Sequence, residues 1–178
     1  MVPAAGRVQL GHRSGVPGMM DRQICPVGPE PSVAEMLVGA LVYSTAAEAS
    51  AVLALVDDSD VCPPLSVVLA AVRQLAARSV PPSPQLILDE LKRAGALTRQ
   101  VATALMGATT TGATTAAAHN YAAAVVAESL RRRVESAGAA LTGMAGTAAE
   151  VDLGPLVERA AASVRDCARR LQVLRGEQ

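Results

Sequence analysis

Aromatic residues are nearly missing from this chain: two Tyr, no Phe and no Trp in 178 residues. A core must therefore be assembled from Ala, Val and Leu, which favours closely packed helices. The same scarcity removes most of the rings on which unstacked bases lie, so stacking platforms for single-stranded nucleic acid are nearly absent. Net charge is also missing, since 16 basic and 16 acidic residues cancel. Without a global positive field, any grip on phosphate has to be local.

Other absences narrow the chemistry. Cys25, Cys62 and Cys167 are odd in number and widely spaced, which suggests neither a disulfide framework nor a zinc site, and a reducing cytoplasm is the simplest compartment. No G-x-x-x-x-G-K-[ST] occurs, so no motif argues for nucleotide hydrolysis. The uncharged stretch between Arg99 and Glu128 is rich in Ala, Thr and Gly and contains His119 and Asn120; it is too polar for a membrane span. The first thirty residues lack an apolar signal-type core. No segment alternates like a β-strand.

Helix punctuation, by contrast, is plentiful. Residues 1–30 carry no sustained period and are expected to form a disordered tail. Ser32 with Glu35 and Thr45 with Glu48 are capping boxes opening the first two helices. Pro63-Pro64 precedes a third, whose Leu65, Val68, Leu69, Val72, Leu75 and Ala76 share one face. Ser83 and Pro84 open a fourth that stops at Gly95, and a short fifth is expected from Val101 to Met106. The Thr-Gly run "GATTTGATT" then reads as a linker.

Two longer segments follow. Val126, Leu130, Val134, Ala137 and Leu141 draw one stripe, and Leu156, Ala160, Val164, Cys167, Leu171 and Leu174 draw another. A connection at 142–154 lets them pack antiparallel. The expectation is an all-α chain: a globular helical subdomain of about five short helices at 31–112, then a long antiparallel helical hairpin at 113–178. Val126, Leu130, Val134, Leu156, Val164 and Leu171 are the residues expected to meet a second subunit wherever the seam is left open.

The triplet Arg131-Arg132-Arg133 poses the functional question. Glu128 lies four residues before Arg132 and Arg131 four before Glu135, a pattern that fits a helix face turned to water. Contact with a partner or with phosphate is the alternative, through Arg131, Arg132, Arg133, Arg169 and Arg170, with Arg165 nearby; such DNA binding would be salt-dependent and sequence-blind. Catalytic candidates are poor. His12 falls in the tail, and His119 stands at a helix entry. Asp57, Asp58 and Asp60 match no calcium-loop spacing and read as a capped turn. Cys62 reads as a small half-buried residue rather than a reactive thiol.

Three stretches resemble the N-terminal domain of DnaB-type replicative helicases. They are "PSVAEMLVGALVYS" at 31–44, through Glu35, Leu37, Gly39 and Leu41; "PPSPQLILDELKRAGAL" at 81–97, through Glu90, Leu91, Gly95 and Leu97; and "HNYAAAVVAESLRRRVESAG" at 119–138, through Tyr121, Val125, Glu128, Arg132 and Arg133. The resemblance covers about residues 31–174. It implies a helical body followed by a hairpin that pairs between subunits in a ring collar, where primase contact and loading are supported. ATP hydrolysis in those helicases belongs to a separate motor. This sequence departs from the pattern near the third helix, where the usual aromatic residues are absent and Asp60-Val61-Cys62 replaces an acidic-aromatic pair. The expected function is a non-catalytic interaction and self-association module, a dimer or hexamer, linked to helicase or primase and using no cofactor or metal. The alternative is a local DNA-binding protein.

Overall fold

The computed structural model describes residues 30–176. The tail expected at 1–30, with His12 and Cys25, lies outside them apart from Glu30. Among the described residues the fold is all-α, as expected. It comprises α1 (Val33–Val42), α2 (Ala46–Leu53), α3 (Leu65–Ala77), α4 (Pro84–Arg93), α5 (Arg99–Thr109), α6 (Ala118–Met144) and α7 (Glu150–Arg175), with 3-10 turns at Asp58–Asp60 and Thr115–Ala117.

The caps form where the sequence places them. Glu35 N donates to Ser32 Oγ at 3.2 Å while the Glu35 carboxylate accepts from Ser32 N at 2.7 Å. Thr45 and Glu48 repeat the exchange at 3.2 and 2.8 Å. Ser83 caps α4, with Pro84 in its first turn, and Gly95 follows it in the left-handed conformation at φ 64°. Each such cap stabilises its helix by about 1 kcal/mol.

Two boundaries differ from expectation. Helix α5 begins at Arg99 and runs to Thr109 rather than spanning 101–106, because Thr98 caps it by accepting from Val101 N at 3.2 Å. Thr98 has no Glu or Gln three residues later, so it lacks the capping-box signature. The hairpin connection is only residues 145–149 rather than 142–154, and Gly154 and Pro155 lie inside α7. Pro155 withholds one backbone donor from Val151. Val151 is 78% exposed, so water can satisfy the carbonyl left over.

The core is aliphatic. Leu37, Leu41, Leu69, Ile87, Leu91, Val125 and Val126 are fully buried, and each such side chain contributes about 1.5–3 kcal/mol. Gly39 permits the closest approach: a Cβ there would run into the Ala108 carbonyl and the Thr111 hydroxyl, so α1 and α5 cross at backbone distance. Helix α6 packs on α1, so the hairpin is rooted in the same core through Ala122, Val125, Val126, Cys167, Leu171 and Leu174. Beyond the root the situation changes. No residue of α6 after Ser129 and none of α7 before Cys167 is buried, so the outer hairpin has only its own two helices for cover.

A candidate interaction surface on the helical hairpin

The 3-10 turn at Asp58–Asp60 sits where the body meets the hairpin root, and it turns Asp60 inward. Asp60 is 1% exposed, the most deeply buried charged residue described. An isolated carboxylate at such a site is costly, so its oxygens must be saturated. Ser129 Oγ donates to Oδ1 at 2.6 Å and Arg133 at 3.1 Å, both from α6. Arg170 of α7 donates to both oxygens, at 3.3 Å to Oδ1. Asp57 N closes the turn at 2.8 Å.

The arginines are saturated in return. Arg170 also donates to the Leu55 carbonyl at 3.1 Å and pairs with Asp57 at 3.0 Å and Asp166 at 3.2 Å. Arg133 reaches Ser59 at 2.8 Å and Ser163 of α7 at 3.0 Å. Arg132 donates to the backbone carbonyl of Asp60. Burial works to raise the Asp60 pKa, but the Arg170 and Ser129 hydrogen bonds and the Asp57 amide outweigh it and hold it at about 2. For Arg170, burial disfavours the charge, yet the Asp60 hydrogen bond and its negative charge push its pKa above the ordinary value. Burial, aided by Asp60, raises the Cys167 thiol, whose Sγ lies 3.6 Å from the Val126 carbonyl.

This arrangement revises the arginine question. Arg170 is buried, and Arg132 and Arg133 are half-buried at the edge of the hairpin; all three fasten the Asp60 turn to the hairpin. Neither Glu128–Arg132 nor Arg131–Glu135 forms an ion pair; Arg132 turns toward the Asp60 carbonyl instead. Arg131 is exposed, and so is Arg169, which pairs with Asp166. Asp60 was legible as a turn residue but not as the anchor, since its partners lie 69 to 110 positions away. Asp58 is likewise occupied, by Arg73 at 3.0 Å.

The expected self-association stripe divides as well. Val126 and Leu171 are buried inside this chain's own core and are not available to a partner. Leu130, Leu156 and Val164 are half-buried along the hairpin. Val134 is 52% exposed, and Val157 at 50% and Val151 at 78% extend the apolar surface outward. Between the two helices runs a groove of about 630 Å³, with Ala137, Ala140, Leu156 and Ala160 against it and Arg132, Arg133 and Arg159 along its edge.

The remaining candidates stand apart. His119 is exposed in the first turn of α6. Cys62 is exposed rather than half-buried. No cluster of three or more His, Cys, Asp or Glu arranged to hold a metal ion occurs among the described residues, and no described helix is long and apolar enough to cross a membrane.

Body and arm together define an all-helical domain with a rooted, projecting two-helix hairpin. Among solved structures, this chain is similar to the N-terminal domain of DnaB helicase from Mycobacterium tuberculosis, with a TM-score of 0.64 and 29% sequence identity over 78% of this chain and 99% of that one. The fold is that of a DnaB-like N-terminal domain, in agreement with the resemblance carried by Glu35, Gly39, Glu90 and Tyr121. No family profile matches the sequence, and no curated protein matches it.

Proposed function

We propose that this chain is a helicase-related replication module that acts by binding rather than catalysis, and that copies of it associate through the outer half of the hairpin. The carrying observation is the contrast along the α6 stripe: Val126 is fully buried while Val134 stands open to solvent, and Val151 and Val157 of α7 are exposed on the same outer arm. Exposed aliphatic side chains on an arm that its own body does not cover are what a docking partner would bury. Leu130, Leu156 and Val164 line the seam beside them. The likeness to a DnaB N-terminal domain supports a setting in DNA replication; a replicative helicase or primase as partner and a cytoplasmic location complete this proposal.

Local DNA binding is the weaker reading, since Arg132, Arg133 and Arg170 are committed to Asp60 and its turn. Light scattering after size exclusion, over a range of concentrations and two salt levels, tests the self-association. A dimer or hexamer that Val134→Glu dissociates without lowering Tm is the expected result. A strict monomer at every concentration overturns it.

A further inference from the structure

The groove between the hairpin helices differs in charge from the rest of the chain. The sequence as a whole is neutral, yet among the described residues that line this groove three are Arg and none is Asp or Glu. Arg132 and Arg133 belong to α6 and Arg159 to α7, so positive charge stands on both walls. Asp60 offsets the charge of Arg133 at 3.1 Å. Arg132 and Arg159 join no ion pair among the described residues. Each gives a hydrogen bond to a backbone carbonyl, of Asp60 and of Pro155, and keeps most of its N–H donors. Hydroxyl groups add to this. Ser59 and Ser163 accept from Arg133 at 2.8 and 3.0 Å, so each retains its own proton to donate, and Ser136 stands exposed one turn along α6 from Arg132. The floor is aliphatic, from Ala137, Ala140, Leu156 and Ala160.

We infer that this groove binds a nucleoside phosphate, its phosphate held by Arg132, Arg159 and the serine hydroxyls and its base laid on the aliphatic floor. A phosphate monoester carries about −1.5 to −2 charge at neutral pH, which matches two guanidinium groups without carboxylate partners. Guanidinium forks also fit phosphate oxygens in pairs. The groove volume of about 630 Å³ is that of a small-ligand site and leaves room for a body beside the phosphate. The floor selects that body, because it presents no polar side chain and suits the flat face of a base better than a sugar or a second anion. A DNA duplex fits this place poorly: Arg131, Arg165 and Arg169, the exposed hairpin arginines that its backbone would meet, do not line the groove. The site is independent of self-association, since Val134, Val151 and Val157 lie outside its lining as well.

Calorimetric titration of the full chain with AMP, GMP, CMP and UMP tests the site, with inorganic phosphate and a duplex oligonucleotide as comparisons. Saturable binding of at least one nucleotide, tighter than inorganic phosphate and weakened by salt, is expected. Arg159→Gln is expected to weaken it roughly tenfold or more, and Arg169→Gln, outside the groove, to leave it unchanged. Ala140→Leu fills the floor without altering charge and is expected to abolish the preference for the nucleotide over inorganic phosphate. Arg159 and Ala140 are both exposed, so these variants keep the fold, and an unchanged Tm checks it. Binding of none of the nucleotides, or binding no tighter than inorganic phosphate, overturns the inference. Equal weakening by Arg159→Gln and Arg169→Gln, or a duplex that binds more tightly than every nucleotide, marks general surface charge and overturns it too.

Discussion

Ser129 and Asp60 lie 69 positions apart in the chain, and the hydroxyl of the first donates to the carboxylate of the second at 2.6 Å. Around that contact Arg133 and Arg170 complete a buried cluster that joins the Asp60 turn to both hairpin helices. The hairpin direction is therefore set by a polar lock at its root, with aliphatic packing beside it. The outer arm owes nothing to that lock except where it points.

Removing the carboxylate is the most damaging change available at the root. Asp60→Ala leaves Arg170, itself 9% exposed, without its main counter-charge, and the loss is expected to be about 3–5 kcal/mol. Urea denaturation measures it. Arg169→Ala, one residue from Arg170 but exposed, is expected to change stability by less than about 0.5 kcal/mol.

Acid should loosen the same lock. The Asp60 pKa is lowered from 3.8 to about 2, so the folded state holds the ionised form more tightly than the unfolded chain does. Its contribution, on the order of 2 kcal/mol, is complete above about pH 4 and is lost as pH falls toward 2. Denaturation midpoints collected between pH 6 and pH 2 should fall in that window for the wild type, and Asp60→Asn should flatten that part of the profile.

Gly39 is expected to tolerate no side chain. Gly39→Ala places a methyl against the Ala108 carbonyl and the Thr111 hydroxyl, forcing α1 and α5 apart. The cost is expected at about 1–3 kcal/mol despite the better helix propensity of alanine. Gly138→Ala, where the added methyl meets nothing within 4 Å, should be neutral or slightly stabilising. A calorimetric comparison of the two separates crowding from propensity.

The stripe should split by phenotype. Leu171→Ala, at the buried root, is expected to lower stability by about 2–4 kcal/mol. Val134→Ser, on the open arm, should leave stability within about 0.5 kcal/mol and lower the solution mass at a given concentration. Denaturation and light scattering on the same two proteins decide it.

Much of the architecture was legible because helix signals are local. A capping box such as Ser32–Glu35 needs only four neighbouring residues, and a stripe such as Val126–Leu130 needs only the helical repeat. Gly95 and Pro84 mark an end and a beginning by their own backbone preferences. Where the local sign is incomplete the reading slipped, as at Thr98 with no acidic or amide residue three positions on, and at Pro155, a helix breaker tolerated in an exposed arm.

By itself, then, the sequence determined an all-helical chain, the placing of most caps, and two apolar stripes that pair as a hairpin. Only the tertiary structure decided what those stripes and the arginines beside them face. Periodicity states which residues share a side of a helix, but not how far the body reaches along it; that reach buries Val126 and leaves Val134 in solvent. Nor does charge spacing on one helix reveal a counter-charge from elsewhere in the chain. Arg170 lies 110 positions from Asp60, and burying a carboxylate is so costly that the turn, once packed inward, draws arginines from both helices whatever their local patterns suggest.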